Sequence, residues 1–516
     1  MNDLHRPVIS FRVALGALAA GVLLLRLAAL WSSMQHVPVH DELTLVRLST
    51  RIAVSGDLNP HFQAWGSLPI HSLAVLLHVG AWAGLQLEPI GPSSYLIARA
   101  ASLLLCTGAL VAIGAATARL VGARTGLLAA ALLAVSPLHA ELSRRAVVEP
   151  WMAFFFALAG LASVRAFQRG GRERDLALAG ALCGLAMASK LTGGLALLQP
   201  LAAWALTSRR SARTAAVTVV AALGTWALAS PFTWLDAPTF LAGVFGEARH
   251  YDSDHFLFPR VWVTSHVEYA HLLWRAVGPP ALVAALLGLA VGLRRQPHAL
   301  VLCIGAAAMH LVFVGAFRFY YERNLLVGLG AVAPLAALGV ERAAAACARP
   351  GAARAALSAA LALTVLGVPA WTSWGDWREL RLADTRTLAA DWLARSLPPN
   401  ANVLLESTLS QPVGRGDLRV QPIVSMGLAP NIDLEPHSNF AVLSSIVYGP
   451  ILDHPEQLPD AAARYRELFA SSRLVQRIEP GAGRSRGPTV LVLELGPGIS
   501  DLPTVDADNG PTVRER

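Results

Sequence analysis

Residues 11–43 read FRVALGALAAGVLLLRLAALWSSMQHVPVHDEL, an apolar run of bilayer-spanning length that ends at an adjacent acidic pair, Asp41-Glu42. A helix of about 20 mainly apolar residues crosses the hydrocarbon core, and comparable runs recur as far as Trp371, for example at 96–118 and 353–371. The chain of 516 residues has a mean hydropathy of +0.49, with 54% hydrophobic and 15% charged residues. A soluble chain of this length carries more charge, because a large surface has to be solvated. The sequence therefore specifies a polytopic α-helical membrane protein. Its first run follows a short basic head without a small-residue cleavage site, and so reads as a retained anchor. Cys106, Cys183, Cys303 and Cys347 fall in or beside apolar runs, which suits membrane packing and gives neither a disulfide framework nor metal-ligand spacing.

The formal net charge of +8 does not form a nucleic-acid-binding stripe, because the basic residues sit in short clusters between apolar runs. Arginine clusters at 119/124, 165–174, 209–213, 294/295 and 342–354 are expected to be cytoplasmic, as is the Arg6/Arg12 head. The runs between them then pair as hairpins whose tips, 141–149, 189–194, 231–275 and 317–324, lie outside. Before Arg119 there are three runs, 11–31, 69–87 and 95–118, where parity allows two spans. The middle one opens at Pro69 and contains His71 and His78, so it is assigned to the outer surface as a juxtamembrane helix. The other expected spans are 125–140, 150–166, 176–190, 193–208, 214–230, 276–293, 298–316, 325–341 and 353–371, about eleven in all, with the C-terminus outside.

Beyond 372 the texture changes. An amphipathic segment at 384–397 is followed by apolar stretches at 402–406 and 441–446, a helical stretch at 461–470 and short strand-like runs at 474–478 and 489–494. These features imply a small α/β domain on the last span. The expected division is a transmembrane domain at 1–372, an extracytoplasmic α/β domain at 373–497 and a disordered tail at 498–516, which is rich in Pro, Asp and Gly.

Ionisable residues near a membrane are costly and so mark candidate sites. Asp41 and Glu42 at the mouth of the first span suit a general base or a divalent-ion ligand pair with His40; otherwise Asp41 simply caps a helix starting at Glu42. Arg144-Arg145 at an outer tip departs from the positive-inside trend and suggests an anionic partner, with Glu149 opening the next span. The plain alternative is an interfacial Arg–Glu pair of small energetic value. All but one of the 42 basic residues are arginine; the exception, Lys190, sits at a hairpin tip, where a compact ammonium suits a phosphate or carboxylate. Arg318-Phe319-Tyr320-Tyr321-Glu322-Arg323-Asn324 offers guanidinium forks and aromatic faces, or else an aromatic belt with snorkelling arginines. Together these segments put acids, bases and aromatics on one membrane face, as an enzyme handling a membrane-borne phosphate ester requires.

In order, Asp41-Glu42, Ser55–Asp57, a Pro-containing helix, Arg99, Ser136-Pro137 leading to Arg145 and Glu149, Ser189-Lys190, Ser230-Pro231-Phe232 and Glu322-Arg323-Asn324 resemble the GT-C glycosyltransferases, in particular the protein O-mannosyltransferase and lipid A aminoarabinose transferase group. Asp384-Thr385-Arg386 and Asp391-Trp392-Leu393 are similar to the segment after the last span in bacterial members. The resemblance implies a GT-C-like helical domain in a bacterial plasma membrane and inverting transfer of a hexose or pentose. The donor would be a polyprenyl-phosphate sugar, and the acceptor a glycan, lipid or protein on the extracytoplasmic face. It implies Asp41 as the base, Glu42 as its support and Glu149 as a second acid. Arg145, Lys190 and Arg323 would bind the lipid phosphate, with Arg99 and Tyr320 also on the substrate side. No cofactor is required on this reading, with a divalent ion at His40 and Asp41 as the variant. The first loop departs from the group in its histidines (His36, His40, His61, His71, His78) and in having Leu68-Pro69-Ile70-His71 where a Lys-Pro-Pro signature is expected. No expanded loop resembles the extra domains of eukaryotic mannosyltransferases, so protein O-mannosylation is not the favoured activity. A lipid-linked-glycan transporter or an inactive assembly scaffold is the alternative.

Overall fold

The computed structural model describes residues 6–34, 40–85, 91–208, 210–252, 264–410, 415–428, 438–481 and 483–495. The chain divides into two compact units, the first from residues 1–34, 41–253 and 262–377, the second chiefly from 378–516.

The first unit is helical. Seven described helices are long and apolar enough to cross a membrane: Phe11–Ser33, Pro92–Val121, Glu149–Gln168, Ala212–Ala229, Pro297–Gly315, Glu322–Cys347 and Ala352–Glu379. An eighth candidate is the pair His266–Val277 and Pro279–Arg295, bent by 111° at Gly278, whose φ is 79°. The remaining expected spans also coincide with helix. Ala123–Val135 and Leu191–Ala205 are apolar but shorter, and Glu173–Ser189 has 17 residues. The run at 69–87 forms the short apolar helix Leu68–Trp82.

Local sequence explains many of the helix starts. Proline occupies the first turn of the helices Leu68–Trp82, Pro92–Val121, Pro137–Leu142, Glu149–Gln168 and Pro279–Arg295, where its fixed φ suits the helix and its missing N–H costs nothing. One break is held by a charge. Arg26, buried within the first span, donates from Nη2 to the carbonyls of Ala134 at 2.8 Å and Leu133 at 3.3 Å, and its Nη1 lies 2.8 Å from His139 Nδ1. A cation at the C-terminal end of Ala123–Val135 meets the negative pole of that helix and occupies its orphan carbonyls.

The second unit contains a five-stranded sheet: β1 (Asn402–Glu406), β2 (Arg419–Ile423), β3 (Ser438–Ser444), β4 (Arg473–Ile478) and β5 (Val490–Glu494). The strand order is β2-β1-β3-β5-β4. β1 is parallel to both β2 and β3, while β5 runs antiparallel to β3 and β4. The five residues of β1 are all buried, which fits a central strand covered on both faces. The helix Thr385–Ser396 starts at Asp384, whose Oδ1 accepts from the Arg386 amide at 3.0 Å and whose carboxylate grips the Arg386 guanidinium. The strand at 419–423, with a proline and alternating polar residues, had no clear strand signal. The tail expected at 498–516 lies outside the described residues.

Glu406 ties the strand ends together. It accepts from the Met426 amide at 3.1 Å, the Ser444 amide at 2.9 Å and the Tyr465 hydroxyl. Burial pushes its carboxyl up to about 7, against the donors that favour the charge. A folded-state pKa above the unfolded one favours folding most below pH 4.5, and that contribution is lost as pH rises through about 7. Thermal unfolding of this unit within the full chain is expected to shift down by roughly 10 °C between pH 5 and pH 8. Glu406→Gln, which has no proton to lose, is expected to flatten that dependence; an unchanged slope would contradict the assignment.

Candidate functional site

The helix His40–Ser55 carries Asp41 and Glu42 in its first turn, so Asp41 lies inside the helix and not ahead of it as a cap. Adjacent helical residues point about 100° apart, and the two acids accordingly have different partners. Glu42 is 2% exposed and binds Arg99 twice, Nε to Oε1 at 2.8 Å and Nη2 to Oε2 at 3.0 Å. Its Oε1 also accepts the Ala146 amide at 2.8 Å. Arg99 donates further to the Ser33 carbonyl at 2.9 Å and is 4% exposed. The pair therefore fastens the end of the first span, the first-loop helix, the Pro92–Val121 helix and the 143–148 turn together.

That turn delivers Glu149. Its side chain is 1% exposed, and Oε1 receives Lys190 Nζ at 2.8 Å and Arg323 Nε at 3.1 Å. The other oxygen, Oε2, is buried without a hydrogen-bond partner among the described residues. Arg323 reaches Asp41 Oδ2 from Nη1 at 2.7 Å, so one guanidinium bridges the two acids. Its Cζ lies 3.6 Å from the Tyr321 ring centroid, a cation–π contact that orients the fork. Lys190 also donates to Asn324 Oδ1 at 2.8 Å. Asn324 Nδ2 in turn reaches the hydroxyls of Tyr269 at 3.2 Å and Tyr251 at 3.3 Å.

The first loop supports this cluster from a second side. Gly66 lies so close to the 188–190 turn that a Cβ there would stand 1.9 Å from the Ala188 carbonyl oxygen; only glycine permits this approach. The chain thus brings together Asp41, Glu149, Lys190 and Arg323 from segments far apart in sequence, with two cations beside two carboxylates. Arg145 instead pairs with Glu141 one turn earlier and is more than a third exposed. Tyr320 packs against Tyr269 at 6.1 Å, and it is the neighbouring Tyr321 that lies on Arg323. The side chain of His40 lies outside the described residues. Among the described residues no group of three or more His, Cys, Asp or Glu is arranged to hold a metal ion.

Residues 81–234 match a family model described as dolichyl-phosphate-mannose-protein mannosyltransferase. No curated protein matches the chain in sequence. Among solved structures, the oligosaccharyltransferase AglB from Archaeoglobus fulgidus, in complex with an inhibitory peptide and a dolichol-phosphate, is similar over 94% of this chain and 75% of its own, with a TM-score of 0.55 and 13% identity. ArnT from Cupriavidus metallidurans, bound to undecaprenyl phosphate, is similar over 94% of this chain and 98% of its own, with a TM-score of 0.53 and 16% identity. The chain has the GT-C fold.

In this GT-C chain the helix Ala237–Asp252 brings residues that the sequence did not single out. His250 Nε2 lies 2.9 Å from the Tyr321 hydroxyl, Tyr251 takes the Asn324 amide, and Asp252 meets Arg318 at 3.2 Å. His250, Tyr251, Phe319 and Tyr321 form one aromatic cluster beside the bridging guanidinium, with Phe319 and Tyr321 centroids 4.6 Å apart. The 237–252 stretch has the amphipathic look of any surface helix, and nothing local sets His250-Tyr251 apart.

Proposed function

We propose that this protein is a membrane glycosyltransferase that moves a sugar from a polyprenyl-phosphate carrier to an acceptor hydroxyl, with inversion at the anomeric carbon. The observation that carries the reading is the Asp41–Arg323–Glu149–Lys190 cluster: a carboxylate of limited exposure next to two cations that share a buried acid. The GT-C fold supports it, and so do the arginine clusters, since the positive-inside trend would leave these segments on the extracytoplasmic face. The carrier is chosen because the ArnT structure holds undecaprenyl phosphate and the AglB structure dolichol-phosphate.

On this reading Lys190 and Arg323 hold the donor phosphate. A phosphate that attracts Arg323 draws it from Asp41 and frees the carboxylate for its role. Asp41 then accepts the acceptor's hydroxyl proton while that oxygen bonds to the anomeric carbon. The bond from that carbon to the phosphate oxygen breaks, and the electron pair leaves on polyprenyl phosphate, whose added charge the ammonium and guanidinium stabilise. Glu149 keeps both cations in place. Glu42 and Arg99 act as positioning residues, holding the helix that presents Asp41. The four charges of the cluster lie at helix ends and not within a span, which favours an enzyme over a carrier, whose site lies at mid-depth.

Binding of undecaprenyl phosphate tests the donor side. Lys190→Met and Arg323→Met are each expected to raise its Kd by about 10- to 100-fold, the value of one charge-assisted contact. Arg145→Met is expected to leave it within about threefold, as for an exposed pair. Equal effects from all three variants would contradict the assignment of the phosphate site.

A further inference from the structure

The helix Ala237–Asp252 crosses the site between two fixed points. At one end Asn59 Nδ2 donates to Asp236 Oδ2 at 3.2 Å, and Gly243 packs so tightly on the first loop that a Cβ would lie 2.9 Å from the Gln63 carbonyl carbon. At the other end His250 and Tyr251 meet Tyr321 and Asn324. Positions 243, 247, 250 and 251 follow i, i+4, i+7 and i+8 spacing and so share one helical face. Glu247 is therefore held on the inward face, midway between the first loop and the Arg323 segment. It is half-buried, and no hydrogen bond or ion pair engages its carboxylate among the described residues. Asp41 and Glu149, by contrast, both carry Arg323.

We propose that Glu247 is the site's sugar-recognising residue, accepting hydrogen bonds from hydroxyls of the donor's sugar while Lys190 and Arg323 take its phosphate. The proposal rests on the glycosyltransferase reading above. A carboxylate is an acceptor only, so its complement is a hydroxyl or ammonium donor and not the phosphate, whose charge it repels. The sugar is joined directly to the phosphate, which places its hydroxyls within reach of residues around the two cations. Burial holds the Glu247 carboxyl above its ordinary range, Asp41 adds to that, and Lys190, His250 and Arg323 oppose it, which is the field expected beside the cluster.

The test compares the full-length protein with Glu247→Ala and Glu247→Gln in lipid nanodiscs. Each is titrated with undecaprenyl phosphate and with undecaprenyl-phosphate glucose, mannose, galactose and arabinose. The wild type is expected to prefer at least one sugar-linked carrier over the bare one. Glu247→Ala is expected to cut that preference by about 10- to 100-fold while leaving the affinity for the bare carrier within about twofold, and Glu247→Gln, which keeps one acceptor oxygen, to fall between. An unchanged preference overturns the proposal, and so does an equal loss for the bare carrier, which would mark a structural role. A defect confined to transfer, with donor binding intact, overturns it in favour of acceptor binding. Failure of the wild type to bind the bare carrier is a separate outcome, which removes the glycosyltransferase reading itself.

Discussion

Asp41→Asn is expected to lower the rate of sugar transfer from bound donor by about 10²- to 10⁴-fold, the contribution of a positioned general base. The amide matches the carboxylate in size and keeps an acceptor oxygen for Arg323, but it cannot take the acceptor's proton. Donor affinity should be retained or should rise, because Arg323 now sits 2.7 Å from a weaker competitor for its charge. Single-turnover kinetics on the preformed donor complex separate the two effects. A rate within tenfold of wild type would remove Asp41 as the base, and a parallel loss of donor affinity would make it a binding residue.

Breaking the Glu42–Arg99 pair is expected to cost about 3–5 kcal/mol of stability, because either single truncation removes the opposite charge from an ion in a site with almost no solvent. Glu42→Leu leaves the Arg99 guanidinium with the Ser33 carbonyl, the Met34 sulfur and the Tyr95 ring in place of a carboxylate, and takes the acceptor from the Ala146 amide. Arg99→Leu takes the guanidinium from the buried Glu42 carboxylate, to which the Ala146 amide still donates. The double variant removes both charges and is expected to recover most of the loss. Thermal unfolding in detergent of the four proteins closes the cycle; additive losses would show that the two residues do not act as a unit. Since the pair ties the Asp41 helix to the turn before Glu149, the single variants should also lose donor binding, and the double variant should regain part of it.

The membrane architecture was legible because hydrocarbon imposes one rule on every span, and runs such as 11–31 and 353–371 obey it without reference to anything else in the chain. Lys190 stood out for a simple reason: a chain that otherwise uses arginine kept one lysine. Glu149 and Arg323 were visible as charges at the ends of apolar runs. Partnership was another matter. That Arg323 bridges Asp41 and Glu149, or that Glu42 turns away to Arg99, depends on contacts across 57 to 282 positions and on which way a helix faces. No local period encodes either. Arg99, read as a substrate-side residue, is consumed by Glu42 and a backbone carbonyl, and Arg145 lies against Glu141. The Ala237–Asp252 helix was lost inside the long loop expected at 231–275, because Glu247 and His250 look like any solvated face until Gly243 is seen pressed on Gln63. Similarly, the strand at 419–423 was missed because as an edge strand it tolerates proline and polar residues that argue against a central one.

The most direct test of the account is transfer by the purified protein from a radiolabelled set of undecaprenyl-phosphate sugars, with membrane lipids and glycans as acceptors and with Asp41→Asn and a chelator as parallel arms. The account predicts that one donor is consumed, that undecaprenyl phosphate appears in equal amount with the label on an acceptor in inverted configuration, and that Asp41→Asn slows both by about 10²- to 10⁴-fold. Activity that survives the chelator fits the metal-free chemistry proposed here. A donor set left untouched, or equal turnover by wild type and Asp41→Asn, would contradict it.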